Sequence, residues 1–255
     1  MILKTHAIAL RADPFSRTSQ IVSWLTPERG RLVTMAKGSQ RARSELRGQI
    51  DVFYTCEVVY YSASRSGLST LKECAALVTR DALRTDIKAS ACASYLCAMV
   101  HRLTPPGAPQ DRVFDFMERC LDALCEGSTG MPLRMVYWAE LRLMGLLGMA
   151  PRFDGCTACG QPQSANDSLT IIAIARGGMV CRRCCPTTEG PLIPLGLDSV
   201  AILKSWQEAD LPSRASRTVC SSEQRVVIEK TLGALLSYHL ELPPAREVAL
   251  DLLAR

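Results

Sequence analysis

Ile21-Val-Ser-Trp-Leu-Thr26-Pro-Glu-Arg-Gly30-Arg-Leu-Val-Thr-Met-Ala36 decides how the first third of this 255-residue chain folds. Two β-rich runs, Ile21 to Thr26 and Arg31 to Ala36, flank Pro27-Glu-Arg-Gly30. That tetrapeptide reads as a hairpin turn with Gly30 at a left-handed position. Working outward, His6, Ile8 and Leu10 alternate with Ala7 and Ala9 between Thr5 and Arg11, and Asp13-Pro14 then breaks the run. Downstream, Ile50 to Thr55, Glu57 to Ser62 and Ser69 to Ala75 are further strand candidates; Val58, Val59, Tyr60 and Tyr61 are strong β formers. Several short strands with turns between them, in about eighty residues, predict a small closed barrel.

The hairpin also opens the most basic part of the chain. Residues 1 to 50 carry nine basic side chains (Lys4, Arg11, Arg17, Arg29, Arg31, Lys37, Arg41, Arg43, Arg47) against Asp13, Glu28 and Glu45. The net charge of the whole chain is only +5, so the surplus is local. A local surplus points to a polyanion site, with a solvated basic face as the alternative.

Beyond residue 80 the period changes. Asp86 to Leu103, Arg112 to Glu126 and Pro132 to Leu147 repeat apolar residues at helical spacing, with stops at Thr104-Pro-Pro-Gly107 and Gly127-Ser-Thr-Gly130. Leu197 to Glu208, Ser222 to Glu241 and Arg246 to Ala254 continue the helical series, and Pro243-Pro244 closes the second of them. Ser221 with Gln224 fits a capping box.

The helices are interrupted by Cys156-Thr-Ala-Cys159 and Cys181-Arg-Arg-Cys184. Each Cys-x2-Cys puts two thiols on one tight knuckle, and two knuckles complete a tetrahedral four-thiolate site. The spacer, Leu169 to Ala175 followed by Gly177-Gly178, reads as strand and turn. Zinc in a closed, structural site is the reading; buried reduced thiols or a redox Cys-x-x-Cys are the alternatives. Cys185 is a possible substitute ligand. The other cysteines lie mostly in apolar segments and read as core.

Composition excludes some classes. At 47% hydrophobic and 22% charged residues the chain is globular. No apolar run reaches signal-peptide or membrane-span length, so a cytoplasmic protein with reduced cysteines is expected. His6, His101 and His239 have no partners at catalytic or ligand spacing, and no phosphate loop, nucleotide fingerprint or carboxylate pair is present. A binding protein is expected in preference to an enzyme.

Leu10-Arg11, Ser19 to Leu25, Thr26-Pro-Glu-Arg-Gly-Arg-Leu, Ala36-Lys-Gly38 and Arg41 to Arg47 resemble the N-terminal domain of the bacterial RecO family. Ala139-Glu-Leu-Arg-Leu-Met-Gly-Leu-Leu-Gly-Met-Ala-Pro151, followed by Cys156-x-x-Cys159-Gly, resembles that family's approach to its finger. The resemblance implies an α+β multidomain chain: an N-terminal OB-fold β-barrel (1–80), then an α-helical domain (81–255) with an inserted four-cysteine zinc finger (152–190). It implies a bacterial, nucleoid-associated DNA repair and recombination mediator. Such a protein binds single- and double-stranded DNA, anneals complementary strands, and acts with RecR and the single-strand-binding protein.

Residue and resemblance together nominate Arg11, Arg29, Arg31, Lys37, Arg41, Arg43 and Arg47, with Lys4 behind them, for DNA phosphates. Trp24, Phe53, Tyr54, Tyr60 and Tyr61 are the aromatic candidates for base stacking. Cys156, Cys159, Cys181 and Cys184 are nominated for zinc. Arg134 and Arg142, rimming an apolar helix, are nominated for the acidic C-terminal tail of the single-strand-binding protein. A zinc-stapled protein-interaction module and a zinc or thiol enzyme are the competing classes; the enzyme would need an open metal site or an activated cysteine.

Overall fold

The computed structural model describes residues 1–63, 68–127, 132–162, 169–215, 217–240 and 245–254. Five strands come first: β1 (Ile2–Pro14), β2 (Gln20–Thr26), β3 (Gly30–Ala36), β4 (Thr55–Tyr61) and β5 (Ser69–Val78). Among the described residues there follow α1 (Ile87–Leu103), α2 (Asp111–Cys125), α3 (Pro132–Leu146), β6 (Leu169–Ala173), β7 (Gly178–Val180), β8 (Leu192–Gly196), α4 (Leu197–Glu208), the short α5 (Pro212–Ala215), α6 (Ser222–Leu240) and α7 (Ala245–Ala254). Residues 128–130, Glu241 and Pro243-Pro244, where helix ends were expected, lie outside the described residues. The chain divides into two compact units, Met1–Ser128 with Pro243–Arg255, and Thr129–Leu242.

The first unit holds a closed barrel in the order β1-β2-β3-β5-β4. All neighbours are antiparallel except β3 and β5, which pair in parallel through Thr34–Ser69 and Met35–Thr70. This is the five-stranded OB fold. Inward residues alternate as the pleat requires: Ala7 and Ala9, Val22 and Trp24, Ala36, Cys56, Val58 and Tyr60 form one buried cluster. The Trp24 indole N–H donates to Thr34 Oγ1 at 2.9 Å, so its one polar atom is satisfied inside the barrel. Between Ala9 and Arg11 the β1–β2 register shifts by one residue. This bulge inverts the phase, so that Ala9 and Ala12 face in while Arg11 faces out.

One expected strand is absent. Residues 50–54 form a turn, and β4 begins at Thr55. Phe53 has φ 71°, a left-handed backbone that a strand excludes. It is held there because Phe53 N–H donates to Ala9 O at 2.9 Å, Tyr54 O accepts from Ala9 N–H, and Phe53 O accepts from the Arg80 guanidinium at 2.7 Å.

Helix α1 is capped by Asp86, whose carboxylate accepts from the N–H groups of Lys88 and Ala89. It packs on β1 and β2 over the outward-facing, fully buried pair Ile8 and Leu25. The hairpin tip is clasped by the loop after α1. Gly107 N–H donates to Arg29 O at 2.8 Å and Gln110 N–H to Pro27 O at 2.6 Å. Gly30 (φ 61°) has no room for a side chain, since a Cβ would stand 2.5 Å from Pro105 O.

The second unit is built on α3, α4 and α6, with Tyr137, Trp138 and Trp206 buried among them. Trp138 donates to Ala209 O at 2.8 Å, and Tyr137 Oη donates to Glu229 at 2.6 Å. The capping box at Ser221 is reciprocal: Ser221 N–H donates to Gln224 Oε1 and Gln224 N–H to Ser221 Oγ. A small sheet, ordered β7-β6-β8, carries the cysteine knuckles.

Candidate metal centre and nucleic-acid interface

Cys156 and Cys159 lie on the loop after α3, and Cys181 and Cys184 follow β7. Each pair is folded by its own backbone: Gly160 N–H donates to Cys156 O at 2.8 Å, and Cys184 and Cys185 N–H groups donate to Cys181 O at 3.0 and 2.9 Å. The two knuckles are joined by Arg152 and Thr157, which bond to the backbone of Gly177 and Met179. That approach requires glycine at 178, where a Cβ would meet Arg152 O at 2.4 Å. Ala173, Val180 and Cys156 form a small apolar floor, on which Ile171 and Cys185 pack.

The four sulfur atoms of Cys156, Cys159, Cys181 and Cys184 all lie within 4.8 Å of one another, a group that could hold a metal ion. A tetrahedron with metal–sulfur bonds of ~2.3 Å has edges of roughly 3.8 Å. The Cys159–Cys181 Sγ separation is 3.8 Å. Cys185 stands outside the set of four.

Electrostatics also favour a cation. Burial works against ionising Cys156, yet N–H groups of Cys181, Cys159 and Ala158 hold its thiol down at about 6. The Cys184 N–H lowers Cys181 in the same way. Cys184, beside the Cys181 and Cys159 thiols, is pushed up to about 12. Four thiolates this close repel one another unless a cation sits among them, and a cation deprotonates all four. Protein fills every corner of the tetrahedron, so the arrangement suits a structural ion.

The basic residues of the first unit fall into two groups. Lys37, Arg41, Arg43 and Arg47 project from the loop between β3 and β4, and all four are exposed. The loop is a chain of turns, with Arg41 N–H bonded to Gly38 O, Ser44 to Arg41 O and Arg47 to Ser44 O. Leu46 and Ile50 pin it to the barrel core. Gln40 N–H donates to Thr18 O and Gly38 N–H to Ser19 Oγ, fastening it to the turn after β1. Among the described residues none of these four cations is paired with a carboxylate. The turn they lean on brings in Arg17 and Phe15, the latter 61% exposed.

Arg29, Arg31 and Arg11 form the second group: Arg29 and Arg31 sit at the opposite end of the seven-residue β3, roughly 20 Å from Lys37, and Arg11 lies level with Val33 at the middle of that strand. Arg29 is exposed on the clasped hairpin. Arg31 donates to His101 O at 2.9 Å, and Arg11 pairs with Asp13 at 2.6 Å. Lys4 pairs with Glu57. Of the five aromatic candidates, Trp24, Phe53, Tyr54 and Tyr60 are buried; Tyr61 is 45% exposed. Phe15 escaped the sequence reading because it stands outside every strand run, beside Pro14.

Comparison with known proteins covers nearly the whole chain. The family model described as recombination protein O, N terminal, matches residues 1–80, and its C-terminal counterpart matches residues 84–247. The chain belongs to the RecO family. It is 30% identical to the DNA repair protein RecO of Desulfosudis oleivorans, covering 92% of each chain. Against the DNA repair protein RecO of Anaeromyxobacter sp. (strain K) it is 28% identical over 93% of this chain and 91% of that one. Against that of Bacillus subtilis it is 25% identical, over 91% and 87%.

The RecO-like Glu140-Leu-Arg-Leu segment is structural in this chain. Glu140 is fully buried, and Arg142 ties α3 to the end of α4 by donating to Gln207 O at 3.1 Å. Eight apolar residues on α3, from Met135 to Met144, are at most 1% exposed. These side chains of the helix are therefore core. Arg134 lies close enough to Cys220 to act on its thiol, together with Arg225. Val219 and Val226, 80% and 62% exposed, flank that corner in sequence. No helix among the described residues is long and apolar enough to cross a membrane.

Proposed function

We propose that this RecO family member is a non-catalytic recombination mediator of DNA repair in the bacterial cytoplasm, at the nucleoid. It binds single- and double-stranded DNA without sequence preference, with residues 1–80 as its DNA-binding domain. The observation that carries this is the loop of Lys37, Arg41, Arg43 and Arg47: four exposed cations without carboxylate partners among the described residues, on a backbone fastened at both flanks. Guanidinium forks grip phosphate oxygens at two points and read no base edge. Phe15 adjoins this loop as a platform on which any base can stack. Arg11, Arg29 and Arg31 extend the track toward the hairpin. By neutralising phosphates on two strands, one protein lowers the repulsion that slows their pairing, so annealing needs no chemistry.

Zinc is the ion we assign to Cys156, Cys159, Cys181 and Cys184, because four thiolates at this edge length match its bond length and its indifference to d-electron geometry. It staples the finger at 152–190 within the helical domain and takes no part in a reaction. Family membership supports RecR and the single-strand-binding protein as partners in loading the recombinase. For the acidic C-terminal tail of the latter, the corner of Arg134, Arg225, Val219 and Val226 is the better landing place, with Arg142 behind it. An electrophoretic shift with unrelated sequences, each as single strand and duplex, tests the main reading. Comparable shifts for all are expected; strong preference for one sequence, or no shift at low salt, would remove it.

A further inference from the structure

Between the barrel and α1 lies a cavity of about 520 Å³ that the basic loop does not use. Arg11 and Arg31 enter it from β1 and β3, and Ser94, Ala98, His101 and Arg102 line it from α1. The four α1 positions follow the i, i+4, i+7, i+8 spacing of one helix face. No carboxylate is among the lining residues. Its size is that of a small-molecule site. Three guanidiniums, an imidazole and a hydroxyl around one hollow are a donor set suited to an anion.

We infer that this cavity is a phosphate-binding site, taking one phosphate group of a nucleotide strand, separate from the loop of Lys37 to Arg47. The inference rests on the DNA-binding reading for the source of the phosphate; the donor set stands without it. The β-bulge at residue 10 is what places it: without the register shift Arg11 would point into the barrel. Arg31 is already aligned by its bond to His101 O at 2.9 Å. The Arg11–Asp13 pair is exposed on both sides, so a phosphate can displace the carboxylate at small cost.

His101 is the built-in reporter. Burial, then Arg31 on β3 and Arg11 on β1, hold its imidazole below the ordinary range, while Asp13 opposes them. A phosphate beside it stabilises the imidazolium, so ligand binding raises the His101 pKa and binding tightens as pH falls through that range.

The test follows the imidazole signals of the full chain by NMR, which has only His6, His101 and His239 to resolve. Titrants are inorganic phosphate, a deoxynucleoside 5′-monophosphate and a short single-stranded oligonucleotide. The expected result is a shift and a raised pKa at His101 alone, with the oligonucleotide saturating at the lowest concentration. Ala98→Glu, which puts a carboxylate into the hollow, and Arg102→Gln should each erase the response and weaken the oligonucleotide roughly tenfold. In Arg41→Glu/Arg43→Glu the mononucleotide response of His101 should persist while oligonucleotide binding falls. If only that oligonucleotide loss fails to occur, the loop reading falls and the pocket stands. No change at His101 with any titrant, or an unchanged response in both pocket variants, overturns the inference. A response to inorganic phosphate and mononucleotide but not to the oligonucleotide overturns the strand as its source.

Discussion

Arg80 is the residue on which the first unit most depends. Its side chain is 2% exposed and bonds at once to Asp122 (2.7 Å), Phe53 O (2.7 Å) and Thr55 Oγ1 (2.9 Å). It thereby joins α2 to the turn that enters β4. Replacing it with Met keeps much of the stem but orphans the buried Phe53 carbonyl and takes the cation away from Asp122. Arg80→Met should cost about 3 kcal/mol, read as a lower urea midpoint at unchanged slope. Gly178 is the counterpart in the finger. A methyl there meets backbone at 2.4 Å, so Gly178→Ala should loosen the knuckles and speed metal loss to a chelator, seen with a colorimetric zinc indicator. Wild-type rates in that variant would show that the close approach has no bearing on the site.

At the scale of elements, some pieces could be read from residues and others could not. The hairpin was legible because Pro27-Glu-Arg-Gly30 must turn and its flanks must extend. The Ser221–Gln224 box was legible because both its bonds are local. Ser221→Ala should therefore fray the first turn of α6 by about 1 kcal/mol, measurable as faster amide exchange there. Residues 50–54 read as a strand because Val52, Phe53 and Tyr54 favour one; the turn is imposed by Ala9 and Arg80, distant in sequence. Strand β8 was missed because Pro191 and Pro194 argue against a strand, yet it is an edge of its sheet, where proline is tolerated. The four cysteines were legible from spacing alone. The apolar face of α3 was visible too, but periodicity could not say that Tyr137, Trp138 and Met144 face core.

For the whole molecule, each unit carries its own dependence. The second holds the cysteine site, and zinc there should contribute to its folding on the order of 10 kcal/mol in apparent terms. Because the ligands must be thiolates, acid competes with the metal: zinc should be released as pH falls, and retained as it rises. The first unit holds the barrel and its basic loop, the surface proposed to bind DNA backbone. The most direct measurement is the anisotropy of a labelled, mixed-sequence strand titrated with wild type and Arg41→Glu/Arg43→Glu over a range of salt. Each phosphate that the loop no longer neutralises should flatten the plot of log affinity against log salt by roughly 0.7 for single strands and 0.9 for duplex. Weaker binding and a shallower slope are expected for both forms of DNA, whatever the sequence. Unchanged affinity and slope in the variant would rule this loop out as the DNA site and move the DNA to another surface.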